Sequence, residues 1–226
     1  MPVGEKGRYI SLRGQIYEHL HNELSKGSLK PGQDVDLNEL ANRLGVSRTP
    51  LREALILLES EGFVTILPRS GVKINALTRE DIRYLYEIIG ALEGAVLNAA
   101  KSALTPDAID RMERLNGEMA SVLENGQFDE CYELNLEFHG VFLATSTNAR
   151  LHRMIDLSKR RLFDFPQRTG FLDEWMRTSL VEHTRIVHYL RADDFHAAAE
   201  YLRDVHWSFN EREDFITRYF ELPANA

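Results

Sequence analysis

The stretch that most constrains the fold spans residues 37–62, LNELANRLGVSRTPLREALILLESEG. Apolar residues at helical spacing predict a first helix, and Gly45 ends it because glycine adopts left-handed backbone angles without steric cost. Pro50 lies in the first turn of a second helix, where proline is tolerated, and Ser47 or Thr49 caps that helix. The pattern therefore predicts two helices joined by a tight corner.

Two short β-rich runs follow the second helix, at residues 63–67 and 72–75. The sequence PRSG between them favours a turn rather than the centre of a strand. A two-stranded hairpin directly after a helix-turn-helix predicts a winged helix.

Three polar residues, Arg48, Thr49 and Arg52, begin the second helix away from its apolar stripe. A recognition helix contacts DNA bases with its N-terminal residues, and its backbone amides there favour phosphate. Arginine suits guanine and phosphate because its planar group donates two hydrogen bonds at once. A solvated helix start would also explain these residues, but the following wing, with Arg69 at its tip, favours DNA binding.

A family resemblance covers about residues 10–75. SRTPLREAL, followed by LLESEGFV and the PRSG turn, resembles the DNA-binding domain of the GntR family of bacterial transcription regulators. The resemblance implies operator contacts at four positions, Arg48, Thr49, Arg52 and Gly71. It also implies a contact on the preceding helix, often from arginine or serine, where this chain has Asn38.

Charge is unevenly distributed along the 226 residues, whose net charge is −8. Residues 1–75 hold ten Lys or Arg and nine Asp or Glu, whereas the remainder holds seventeen and twenty-six. A nearly neutral DNA-binding domain therefore predicts a few placed arginines rather than a basic surface. The single cysteine, Cys131, and the lack of a signal core or a long apolar run predict a cytoplasmic protein with no membrane helix.

Residues 76–226 are predicted to form an all-α bundle of about six helices, so the whole chain is mostly α. The predicted helices cover 78–102, 105–125, 127–146, 148–165, 171–192 and 194–221. The first of them carries a long apolar stripe that serves either the core or a dimer interface: Ile82, Leu85, Ile89, Leu92 and Val96.

Three histidines and one asparagine are placed to converge inside this bundle. Asn135 and His139 are four residues apart and share one helix face. His183 and His206 are equidistant from the predicted turn at 193–194, so an antiparallel hairpin brings them side by side. Imidazole and oxygen ligands suit Zn, Ni, Cu or Fe, although buried histidines are also common as packing residues.

A second resemblance covers about residues 78–210. E-F-H, E-H-x-x-I and A-x-x-Y-L-x-x-x-H are similar to the FCD ligand-binding domain of FadR-type GntR regulators, the VanR-like group. It implies one divalent metal per chain, Zn, Ni, Fe or Mn, held by Asn135, His139, His183 and His206. The family has aspartate where this chain has Asn135, so we expect weaker metal affinity or a different preference.

Family members often have an arginine on the first bundle helix that pairs with a carboxylate of the effector, where this chain has Ile89 and Gly90. Either another residue makes the carboxylate contact, or the effector is not a simple acid. Substitute cations are available on the fourth predicted helix, and a solvated basic face explains them equally well: Arg150, Arg153, Arg160 and Arg161. Of these, Arg160 and Arg161 are the candidate effector-binding residues.

Together these features predict a transcriptional repressor, not an enzyme, that binds a palindromic operator as a homodimer and responds to a small organic acid. Two alternatives use the same histidines. One is a metal-dependent hydrolase with Glu182 or Glu133 as general base, and the other is a sensor for which the metal itself is the signal.

Overall fold

The computed structural model describes residues 11–68, 71–163 and 169–219. The chain divides into two compact units, with the boundary between Leu77 and Thr78. Among the described residues, no helix combines the length and the apolar character that crossing a bilayer requires.

The first unit contains the predicted helix pair. Its elements are α1 (Leu12–Ser25), β1 (Asp34–Val35), α2 (Leu37–Leu44), α3 (Arg48–Ser60), β2 (Val64–Leu67) and β3 (Gly71–Ile74). Asp36 caps α2 by accepting hydrogen bonds from the backbone amides of Asn38 and Glu39. Gly45 ends α2 with φ +64°, as predicted, and Ser47 is the residue that precedes α3.

The apolar stripes of these helices fill one core, in which α1 packs against α3. Its members include Ile16, Leu20, Leu24, Leu51, Leu55, Leu58 and Phe63. Complete burial of one such side chain contributes about 1.5–3 kcal/mol. The core therefore fixes the rotation of α3 and leaves its opposite face to solvent.

The wing has one strand more than predicted, because β1 pairs with β3 to give the order β1-β3-β2. In the antiparallel hairpin, Val64 lies opposite Ile74 and Leu67 opposite Gly71. Gly71 has φ +116°, and a Cβ atom there would collide with the carbonyl oxygen of Val35. The pairing of β1 with β3 therefore requires glycine at position 71 for a structural reason.

The second unit is helical throughout its described residues. Its elements are α4 (Arg79–Ala99), α5 (Pro106–Glu124), α6 (Phe128–Leu143), α7 (Ala149–Phe163), α8 (Thr169–Arg191), α9 (Phe195–Tyr201) and α10 (Phe209–Tyr219), with a 3-10 turn at Ala100–Ser102. Thr78 and Asp81 form a capping box at the start of α4. Thr105 caps α5, which has proline in its first turn, as the sequence predicts.

The prediction of one helix over residues 194–221 is wrong, because the chain forms α9, a π-helical turn at Leu202–His206, and α10. The turn packs against α4 at Gly90, where a Cβ atom would lie only 2.9 Å from the Cβ of Trp207. The wider π turn shifts the helical register, and both His206 and Trp207 are buried.

Helix α5 runs antiparallel to both α6 and α8. Near the start of α5, Arg111 pairs with Glu137 of α6, whereas farther along α5 the carbonyl of Met119 accepts from Sγ of Cys131 near the start of α6. Asp110 at the start of α5 pairs with Arg191 at the end of α8, whereas Asn116, farther along, donates hydrogen bonds to Thr184 and to the carbonyl of Leu180. Helices α6 and α8 therefore run in the same direction.

Candidate metal centre and DNA-binding surface

The exposed face of α3 carries the predicted DNA contacts. Arg48, Thr49 and Arg52 are all exposed, while Leu51 and Leu55 on the opposite face are buried. Among the described residues, no hydrogen bond or ion pair engages either arginine side chain. Both guanidinium groups are therefore available to phosphate or a base edge.

The other predicted contacts differ in how far the structure describes them. Asn38 is exposed on α2. Gly71 begins β3, and the strand β1 beside it already explains the need for glycine. Arg69 lies outside the described residues.

Three histidines of the second unit form one buried cluster, which we call the histidine triad: His139 on α6, His183 on α8 and His206 in the π turn. Their ring centroids are 5.3 Å apart for His139–His183, 5.1 Å for His139–His206 and 5.0 Å for His183–His206. One ligand nitrogen from each ring lies within 4.8 Å of the other two. The expected side-by-side placement of His183 and His206 is thus present in the structure.

Carboxylates orient two of the three rings. The Nδ1 atom of His139 is 2.8 Å from Oε2 of Glu93, and that of His206 is 2.8 Å from Oε2 of Glu182. Because a carboxylate accepts, each Nδ1 carries a proton, and in a neutral imidazole this leaves the lone pair on Nε2.

An amide orients the third ring. The Oδ1 atom of Asn116 accepts from Nδ1 of His183 at 3.2 Å. The amide nitrogen of Asn116 is already committed to α8, which fixes this orientation of the side chain. The Nε2 atoms of His139 and His183 are buried and have no hydrogen-bond partner among the described residues.

Burial also sets the protonation of two rings of the triad, His139 and His183. It lowers the pKa of His139 to about 4, although Glu93 opposes the shift. It lowers the pKa of His183 well below the usual value, and the neighbouring His206 and His139 lower it further. Both rings are therefore neutral at pH 7, which is the form in which imidazole binds a metal.

The charges around the triad cancel. Glu93 contacts Nζ of Lys159 at 2.5 Å and accepts from Nε1 of Trp207 at 2.8 Å, and Glu182 pairs with the buried Arg212. Burial raises the pKa of Glu93, but His139 and Lys159 together outweigh burial and hold that pKa well below its usual range. The two carboxylates and the two cations therefore balance one another.

Asn135 supplies the fourth candidate ligand. It lies one turn before His139, it is 6% exposed, and its Oδ1 atom has no hydrogen-bond partner among the described residues. A buried oxygen without a partner costs free energy. Together with the unpartnered imidazole nitrogens, it forms a donor set that suits a divalent cation.

The two predicted effector arginines differ in their exposure. Arg160 is exposed. Arg161 is buried, and burial lowers its pKa to about 10, although the nearby Asp81 opposes the shift. The buried cations beside the triad are Lys159 and Arg212, which sequence reasoning missed.

The other three histidines of the second unit are at the surface or in a cap. His188 and His196 are exposed, and His152 bonds the carbonyl of Ser146 at the start of α7. Glu137 is exposed as well.

Comparisons with known proteins match both units. The FCD domain model matches residues 84–206, and the model of bacterial regulatory proteins of the gntR family matches residues 12–74. The uncharacterized HTH-type transcriptional regulator YdhC of Bacillus subtilis is 29% identical over 83% of this chain and 84% of its own length. The HTH-type transcriptional repressor RspR of Escherichia coli is 29% identical over 66% of this chain and 69% of its own length.

Solved structures share the fold. E. coli McbR/YncC superposes with a TM-score of 0.65 at 21% identity, covering 92% of this chain and 99% of that one. A putative GntR regulator from Rhodococcus sp. RHA1 gives a TM-score of 0.65 at 20% identity, covering the same shares of each chain, 92% and 99%.

Proposed function

We propose that this chain, which belongs to the GntR family of bacterial transcription regulators and carries an FCD domain, is a metal-assisted, acid-responsive repressor. The observation that carries the proposal is the buried histidine triad, in which His139 and His183 are neutral and their Nε2 atoms have no hydrogen-bond partner among the described residues. The relatives are transcription regulators, so the chain is not an enzyme. The hydrolase alternative also lacks a base, because Glu182 is paired and Glu133 is exposed.

The metal ligands in this proposal are the triad and Asn135. One Zn, Ni, Fe or Mn ion per chain suits three imidazoles and an oxygen. The bound ion would supply a positive centre for an oxygen of the effector. Glu93, Glu182 and Asn116 are positioning residues, because each holds one ring by its Nδ1 atom and aims the Nε2 atom away.

The DNA contacts in this proposal are Arg48, Thr49, Arg52, Arg69, Gly71 and Asn38. The exposed start of α3 and its two available guanidinium groups support a recognition helix in the major groove. Repression is proposed by analogy with RspR, whose name describes a repressor. A protein of this kind works on chromosomal DNA, which places it in the cytoplasm.

A homodimer on a palindromic operator completes the proposal. The outer face of α4 presents an apolar stripe that the described residues leave exposed: Tyr84, Ile88, Ala91 and Ala95. Tyr84 and Ile88 are 45% and 41% exposed. In a two-fold dimer each residue of such a face meets its own copy or a near neighbour, so one surface serves both protomers.

We expect Ile88→Asp to make the protein monomeric, because the dimer would bury two uncompensated charges. Light scattering coupled to size-exclusion chromatography measures the mass directly. Val181→Asp is the matched control, since Val181 is 68% exposed on α8 and should tolerate the charge. A dimeric Ile88→Asp variant would show that the interface lies elsewhere.

Fluorescence anisotropy with an operator selected from random DNA tests the regulatory function. A panel of small mono- and dicarboxylic acids is added to metal-loaded and to chelator-treated protein. We expect at least one acid to weaken operator binding by about 5- to 150-fold, the usual range of allosteric coupling, and only in the loaded protein. A full response to metal alone would favour the metal-sensor alternative, and equal responses without metal would overturn the proposed site.

A further inference from the structure

Ser179 carries a buried hydroxyl group and lies one helical turn before His183 of the histidine triad. It is 1% exposed, and its Oγ atom has no hydrogen-bond partner among the described residues. It lies four residues before His183, as Asn135 lies four residues before His139, so each polar group shares a helix face with a triad histidine. Because α6 and α8 run in the same direction, Ser179 and Asn135 lie on the same side of the triad.

Two orphaned polar groups on one side of the triad are costly unless something binds them. A buried hydroxyl group without a partner loses its bonds to water and gains nothing in return. Alanine at position 179 would avoid that cost with almost the same volume. The hydroxyl group is therefore better explained by a ligand than by packing.

Charge indicates the kind of ligand. Glu93 and Glu182 are balanced by Lys159 and Arg212. Asn135 adds no charge, so the two positive charges of a divalent ion would stay uncompensated inside the unit. An anionic ligand is the group that restores the balance.

We propose that Ser179 donates its hydroxyl hydrogen to a carboxylate oxygen of a small organic acid at the metal site, and so helps to select an anionic effector. This inference rests on the proposed metal site. Ser179 acts here as a binding residue of the effector, beside the positive charge of the ion, and it is not a metal ligand. A neutral amide of the same shape as the acid therefore binds more weakly than the acid.

Cobalt-substituted protein provides the test, because the visible absorption of Co²⁺ reports changes in its coordination. The wild type, Ser179→Ala and Thr178→Ala are each titrated with acetate and with acetamide. Thr178 is the matched control, since it is exposed and its hydroxyl donates to the carbonyl of Glu174. We expect acetate to bind Ser179→Ala about tenfold or more weakly than the other two proteins, because a hydrogen bond to a charged group is lost.

Stability provides a second measurement. The metal-free Ser179→Ala variant should melt at or above the temperature of the metal-free wild type, because the change removes an unsatisfied group. A clearly lower melting temperature would show that Ser179 is a structural residue and would overturn the inference.

The remaining outcomes distinguish a failure of the inference about Ser179 from a failure of the proposed metal site. Equal acetate affinity in the wild type and Ser179→Ala, with cobalt bound in both, overturns the role of Ser179 and leaves the metal site standing. Equal binding of acetate and acetamide overturns the charge argument. A wild type that binds no cobalt overturns the proposed metal site and this inference with it.

Discussion

Arg48→Ala and Arg52→Ala are each expected to abolish specific operator binding. Both side chains are exposed at the start of α3, where a recognition helix contacts DNA. A lost bidentate contact costs about 1–3 kcal/mol, and a dimer loses it in both half-sites, so the total reaches about 2–6 kcal/mol. Substitutions of exposed residues change the free energy of unfolding by only about 0.5 kcal/mol, so the fold and the dimer should remain intact.

A gel-shift titration with the selected operator measures the effect. Arg43→Ala is the matched control, because both terminal nitrogens of Arg43 are bound to Glu23 at 2.7 Å. Circular dichroism and size-exclusion chromatography verify that the variants are folded and dimeric. Normal operator binding by both variants would show that α3 is not the recognition helix.

The second large effect is on metal affinity. We expect His183→Ala to lower the metal affinity by more than about 100-fold. The loss of an outer residue that only orients a metal ligand already lowers that affinity about 10- to 100-fold. His183 is fully buried in the triad, and the change removes its Nε2 atom, which has no hydrogen-bond partner in the part of the chain that the structure describes.

His188→Ala is the control, since His188 lies on the same helix but is exposed. Competition with a chromogenic chelator gives the affinity of each variant, and elemental analysis after dialysis gives its metal content. Equal values for His183→Ala and His188→Ala would mean that the triad is not a metal site.

Most of the correct predictions from sequence rest on patterns that span only a few residues or one helix hairpin. Gly45 and Pro50 mark the corner between α2 and α3 because their backbone preferences act within a few residues. His183 and His206 could be paired because an antiparallel hairpin is symmetric about its turn. Their 5.0 Å ring separation needed no knowledge of the other helices.

Features that depend on distant contacts were not predictable. The strand β1 has two residues, too few for an alternating pattern to be visible. The π turn that breaks the last predicted helix accompanies close packing against Gly90, which only the folded bundle reveals.

The buried charges around the triad were missed for a related reason. Lys159 follows Ser158 and precedes two arginines, so sequence alone favours a solvated basic face. Glu93 did give a signal, because it lies beside the apolar stripe of α4 between Ile89 and Val96. Its partners come from α6 and α7, however, and spacing along one helix cannot identify them.

Elemental analysis of untagged protein, purified without chelators and paired with native mass spectrometry of the same sample, is the most direct measurement of the proposed site. We expect close to one Zn, Ni, Fe or Mn ion per chain and a retained small organic acid in the mass spectrum. Protein that carries no metal, and takes up none when the ion is added, would contradict the metal-assisted effector site and leave the triad as packing residues.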